Sequence, residues 1–197
     1  MPINYRIQFI TDIGFPEDAA IPYINNNTAM KRISAIYGTA RVVGRLSVER
    51  SFQFWHNFFS NIWNNRNDIP IVHETFNDWH KEKTMHLSAL LGENNLLKVG
   101  IAQKMLNLFL KDFWAWQEIP NEVAIWLHIP LDRIILGKFA NIPTTWKSWT
   151  KVQCDEHTFE DRYGEYMTLQ DVMRDYFNEV GIFQSLIEME QFLWHQI

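Results

Sequence analysis

The residue of this sequence with the most chemistry available to it is an amine set in an otherwise apolar helix. In residues 98–110 (KVGIAQKMLNLFL) and just beyond, Gln103, Lys104, Asn107 and Lys111 recur at i, i+1, i+4 and i+8, a single narrow polar stripe. Met105, Leu106, Leu108, Phe109 and Leu110 cover most of the remaining circumference, and a helix apolar on nearly every side belongs at the centre of a fold. A lysine placed there must reach water along its stem, pair with an acid, or lie partly desolvated, where burial disfavours the charged form. Loss of that charge is how an amine becomes a nucleophile near neutral pH. An acid is at hand in residues 128–135 (HIPLDRII). Pro130 is a residue favoured in a first helical turn, so a helix is expected to begin there, with Asp132 held ionised by the dipole at its N-terminus. Lys104 and Asp132 are the candidate catalytic pair. Asn107, Lys111 and His128 are candidates to line a pocket beside them, although a histidine at such a junction more simply satisfies local backbone.

Other constellations fail on spacing. His73-Glu74 opens a zinc-protease pattern, but Asn77 stands where the second histidine must be. Asp78, Glu82 and His86 share a helix face and are hard-metal donors; a solvated polar face explains them better, and no metal or cofactor is expected. No Glu-x-x-His pair, phosphate-binding glycine loop or Gly-x-Ser-x-Gly elbow is present. Cys154-Asp-Glu-His157 would be an acidic, exposed loop in which the thiolate is disfavoured.

The elements that must position the stripe are helical. Residues 29–37 read as a helix closed by Gly38, and 47–65 as an amphipathic helix with Phe52, Trp55, Phe59 and Trp63 on one face. Further helices are expected over 74–91, ending at Gly92, and over 102–116, stopped by Pro120. Thr168-Leu-Gln-Asp171 and Ser185-Leu-Ile-Glu188 look like capping boxes opening the last two helices, with Gly181 closing the first of these. Residues 4–10 alternate weakly and could form a short N-terminal strand. The expected fold is all-α and compact, a single unit over 1–197 that could divide into two helical lobes at about residue 95.

Composition narrows the class further. With 47% hydrophobic and 21% charged residues, the chain is neither disordered nor fibrous. The lone cysteine excludes an intramolecular disulfide, a four-cysteine iron–sulfur cluster and a cysteine-built zinc site. No apolar run approaches the roughly 18 residues of a membrane span, and residues 1–20 lack a basic start followed by an apolar stretch. A cytoplasmic protein without membrane contact is expected. Nine tryptophans are several times ordinary usage. Trp114, Trp116, Trp146 and Trp149 flank the Lys104 and Asp132 segments in sequence. Packing is the plainer role for each. Net charge is −5, concentrated in the acidic last quarter, whereas Lys31, Arg32, Arg41, Arg45 and Arg50 make the first third basic. Arg41 and Arg45 share a helix face and could meet phosphates; a solvated helix face, or pairing with the acidic tail, is the plainer reading.

Together these segments resemble the helix-hairpin-helix DNA glycosylases. The family signature runs Leu-Pro-Gly-[Val/Ile]-Gly-x-Lys, followed later by a Pro/Val-[Val/Leu]-Asp segment; Gly100-Ile101-Ala102-Gln103-Lys104 is similar to the first and Pro130-Leu131-Asp132 to the second. The Gln103-Lys104 pair and the His-Ile-Pro-Leu-Asp run look most like the archaeal 8-oxoguanine glycosylases, and like bacterial proteins of unassigned function that share them. The resemblance spans about a fifth of the chain and departs at three places: its Leu-Pro start is missing, Ala102 replaces the second glycine, and Met105 the usual Thr or Ser. It implies that DNA is the partner. Backbone N–H groups of Val99, Gly100, Ile101, Ala102 and Gln103 would face a phosphate, and a damaged nucleotide would be flipped into a pocket walled by rings such as Trp114 and Trp149. Lys104 would attack the sugar C1′ with help from Asp132, giving a Schiff base and strand-nicking lyase activity. The alternative is a non-catalytic, mobile-element-type protein that binds a nucleic acid, a protein partner, a second copy of itself, or a small apolar ligand.

Overall fold

The structure is a computed structural model that describes residues 3–39, 57–92, 94–139, 142 and 146–196. Helix makes up 67% of it, and the described residues hold no sheet, only an isolated bridge between Leu97 and Cys154. The all-α expectation holds. In chain order the helices are α1 (Tyr5–Asp12), α2 (Asn26–Thr39), α3 (57–64), α4 (His73–Leu90), α5 (Val99–Ala115), α6 (Asn121–Ala124), α7 (Arg133–Gly137), α8 (Phe159–Val180) and α9 (Leu186–His195). A short 3-10 helix, Trp146–Lys151, lies between α7 and α8.

The expected N-terminal strand is instead α1. Asn4 sits in extended conformation and its side-chain oxygen accepts from the N–H groups of Arg6 and Ile7, a regular N-cap. Phe9 and Ile10 are buried while Tyr5 and Ile13 pack against the same core. That spacing is helical; the weak alternation over residues 4–10 came from polar residues that turn outward.

Helix α5 is the hub. Fifteen of its 17 residues are buried, and α1, α2, α4 and α8 all pack on it. It starts three residues earlier than expected because its first turn is enclosed rather than exposed. Gly100 lies so close to the 3-10 helix that a Cβ there would sit 1.9 Å from the Trp149 carbonyl oxygen. The Gly100 N–H donates to the Val152 carbonyl at 3.1 Å, while Leu97 and Cys154 exchange backbone hydrogen bonds. Helices α4 and α5 therefore form a hairpin, turned through Asn94 and Asn95 in left-handed conformation (φ 55° and 62°) and closed over by residues 149–154.

Two further expectations shift. Helix α7 begins at Arg133 rather than Pro130; residues 128–132 run into it, and Asp132 is its N-cap. Helix α8 is unbroken from Phe159 to Val180, so the Thr168 box opens nothing: its hydroxyl donates back to the Gly164 carbonyl at 3.0 Å, one turn earlier. Ser185 does cap α9, accepting from the Glu188 N–H, and Gly181 closes α8 with φ +64°. Helix α2 continues through Gly38. Of the helix expected over 47–65, the described part is 57–64, with Phe58, Phe59 and Ile62 buried. One hydrophobic cluster includes residues from α1 to α9 and so joins both proposed lobes.

Candidate active site

All four members of the α5 polar stripe are buried; Gln103, Lys104 and Asn107 are met by residues 129–132, and Lys111 by α9. Lys104 Nζ donates to Asp132 Oδ2 at 2.8 Å. The other carboxylate oxygen, Oδ1, accepts from the N–H groups of Ile134 (2.9 Å) and Ile135 (3.1 Å). Capping thus fixes the plane of the carboxylate and leaves one oxygen for the amine. Residues 104 and 132 retain 8% and 5% exposure, a nearly dry setting in which the ion pair is far less screened than on a surface.

One residue nearer the start of α5, Gln103 uses every hydrogen-bonding position it has. Its Nε2 donates to the carbonyls of Gly100 (2.8 Å) and Leu131 (2.9 Å), and its Oε1 accepts from the Leu131 N–H (3.2 Å) and Asn107 Nδ2 (3.2 Å). Asn107 Nδ2 also reaches the Ile129 carbonyl at 3.0 Å and the Tyr166 hydroxyl at 2.9 Å.

Two buried histidines complete this network. His80 Nε2 lies 2.8 Å from Asn107 Oδ1 and His128 Nε2 lies 3.0 Å from Asn77 Oδ1. Both amide oxygens can only accept, which assigns the proton to Nε2 in each ring. The opposite nitrogens then accept from hydroxyls, Nδ1 of His80 from Tyr163 (2.8 Å) and Nδ1 of His128 from Tyr166 (3.0 Å). Burial pushes the His80 pKa down to about 4, against a small upward pull from Asn107. His128 is held well below the ordinary value by burial, with His80, Arg174 and His73 adding to it. Both rings are neutral, and their centroids are 4.4 Å apart. Tyr166 and Tyr163 are raised, chiefly by burial, and stay protonated donors.

Lys111 pairs with Glu190 of α9 and donates to Gln191 Oε1 at 2.8 Å, with its Nζ 4.6 Å from the Phe9 ring centroid. Burial raises the Glu190 pKa; Lys111 opposes this most, and Asp132 and Lys104 act on it as well. The two ion pairs therefore share one electrostatic neighbourhood. Glu190 Oε1 is buried without a hydrogen-bond partner. Beyond Lys111, Asp112 takes Arg32 Nε at 2.8 Å and the Tyr23 hydroxyl at 2.8 Å. Its pKa is raised by burial in spite of Arg32.

The sequence-derived residues are not all brought together. Lys104, Asp132, Gln103, Asn107 and His128 form one connected group, and Lys111 stands two turns further along α5. Val99, Gly100 and Ala102 are buried under residues 149–154, with Ile101 half-buried. Trp149 is buried against this turn, its ring 6.4 Å from Tyr166 and its Nε1 unpartnered. Trp114 and Trp116 lie at the other end of α5, about 15 Å or more from Lys104 at 1.5 Å per residue. Trp114 is beneath the Arg6 guanidinium, and Trp116 Nε1 donates to the Ala19 carbonyl; nearness in sequence is not nearness in space. Arg41, Arg45 and the Trp146 side chain lie outside the described residues. Cys154 is buried rather than exposed, and burial, then Asp155, push its thiol up. No group of three metal-binding side chains occurs among the described residues, and no described helix is long and apolar enough to cross a membrane.

His80, Tyr166, Gln170 and Glu190 are members of this region that motif reading passed over. The available signal was burial by pattern: Glu190 stands between Met189 and Gln191 in the apolar run LIEMEQFLW, and His80 follows Phe76 by one turn on the inner face of α4. Compared with protein-family models, with curated proteins and with solved structures, the chain gives no match.

Proposed function

We propose that the protein is a DNA N-glycosylase/lyase of helix-hairpin-helix type that works through Lys104. The observation that carries this is the 2.8 Å contact between Lys104 Nζ and Asp132 Oδ2. The amine is on the second helix of a hairpin and the acid caps a later helix, which is the order of parts that the sequence resemblance implies.

The chemistry follows from that contact. The ammonium of Lys104 must lose a proton before it can attack, and the Asp132 carboxylate is in place to take it. Nζ then forms a bond to the sugar C1′ while the C1′–base bond breaks. The electron pair leaves with the base, which receives the proton held by Asp132. The recharged carboxylate then faces the positive charge on the alkylated Nζ. Ring opening then breaks the C1′–O4′ bond as C1′=Nζ forms, the second Nζ proton passing to the departing O4′, and the Schiff base results. Removal of a proton from C2′ then expels the 3′ phosphate and nicks the strand. Because the Gly100 N–H is already given to Val152, phosphate contact in this scheme comes from side chains near the hairpin, such as exposed Lys151.

Borohydride reduction in the presence of a duplex holding an abasic site tests the scheme. A covalent protein–DNA adduct is expected for the native chain and not for Lys104→Ala. The competing class, a non-catalytic binding protein whose polar stripe is purely internal, gives no adduct with either.

A further inference from the structure

Residues 128–132 form a buried segment outside any helix or strand. Ile129 and Leu131 are fully buried, and Pro130 has no N–H to satisfy. The peptide groups of such a segment must find partners inside the protein. Here two glutamine side chains supply them, each pairing with both the N–H and the carbonyl of one residue. Gln170 of α8 accepts from the Ile129 N–H at 3.1 Å and donates to the Ile129 carbonyl at 2.9 Å. Gln103 of α5 makes the same pair of bonds to Leu131, at 3.2 and 2.9 Å. Asn107 joins the two clamps by donating to both Gln103 Oε1 and the Ile129 carbonyl. Each side-chain amide imitates the edge of a neighbouring strand.

We propose that Gln103 and Gln170 are positioning residues, which set the 128–132 segment in register against α5 so that the Asp132 carboxylate meets Lys104. The inference rests on the lysine–aspartate reading above for its catalytic consequence. Leu131 is adjacent to Asp132, and Gln103 is adjacent to Lys104, so the clamp links the backbones of the two reacting residues through a single side chain. Gln170 anchors the far end of the segment to a different helix. Gln103 acts here on the protein's own backbone rather than on a phosphate.

The test is a double-mutant cycle on the single-turnover rate of borohydride trapping with an abasic duplex. Gln170→Met is expected to slow trapping about tenfold with the half-saturating duplex concentration unchanged. Added to Asp132→Asn it should slow trapping no further, because a clamp that works through Asp132 has nothing left to position. Ile69→Ala, which trims a buried side chain that takes no part in these hydrogen bonds, should lower the melting temperature but leave the rate per folded molecule alone. If Gln170→Met slows the Asp132→Asn protein by the same factor as the native one, or slows neither, the positioning role is wrong. Gln170→Asn, which keeps the carboxamide but withdraws it by one methylene, replaces Gln170→Met in the cycle if the latter does not fold. A second readout needs no DNA. The Lys104 ammonium should give a protected 1H–15N signal that the Gln170 variant loses and Ile69→Ala keeps. An unchanged signal in the Gln170 variant overturns the clamp. If the native protein traps nothing while this signal still responds to Gln170, the enzyme reading falls and the clamp stands.

Discussion

Lys104 and Asp132 show how far residue types can be followed and where they stop. The lysine was legible because it violates the pattern of an apolar helix, the acid because it fits that of a helix start, and they pair at 2.8 Å. Glu190 and Arg32 were not legible as partners. Their meeting with Lys111 and Asp112 depends on how α9 and α2 pack on α5, which no spacing within one segment encodes. These buried pairs carry a definite energetic consequence. Removing one partner leaves the other charged and unsolvated, at a cost of about 3–5 kcal/mol. Arg32→Leu, which strands Asp112 in the core, should lower unfolding free energy in urea by that amount. Replacing both residues with apolar ones should cost much less than this single change. A loss under about 1 kcal/mol for Arg32→Leu would mean that the pair is solvated in solution.

Among the elements, the helices and their stops were largely readable, and the errors have physical causes. The Ser185 box works because residues 181–184 break the chain before it, whereas the Thr168 box has no break upstream and is simply absorbed into α8. The enclosure of the hairpin was illegible, because it depends on residues 149–154 returning to α4 and α5 from some fifty positions away. Gly100 is where that return is tightest. Gly100→Ala places a methyl group 1.9 Å from the Trp149 carbonyl oxygen, so α5 and the 3-10 helix must separate and the Val152 bond must lengthen. Overpacking of this kind costs about 1–3 kcal/mol. The expected result is a lower melting temperature, with the Gly100 region losing hydrogen-exchange protection before the rest of α5. Ser185→Ala, by contrast, should cost only about 1 kcal/mol, seen as fraying confined to the first turn of α9.

For the whole molecule, the neutral histidine pair predicts the response to acid. His80 titrates near 4 when folded and near 6.5 when unfolded, and His128 is likewise lowered. Below about pH 6.5 the unfolded chain binds protons on both rings while the folded chain binds neither. Stability is therefore full above that pH and falls as the pH drops towards 4, by about 1.4 kcal/mol per unit for each ring. Urea melts of the native protein and His80→Gln should show their stability difference shrinking at that slope between pH 6.5 and 5; a constant difference would mean that His80 is protonated in the fold. The net charge of −5 sets a second molecular condition on the proposed function: any DNA bound would have to be held locally near the hairpin, since the overall field opposes it. The proposed chemistry turns on one amine. After borohydride reduction with an abasic duplex, proteolysis and mass spectrometry of the adduct should locate the reduced sugar on the peptide containing Lys104. An adduct on any other lysine, or none at all, would contradict the account.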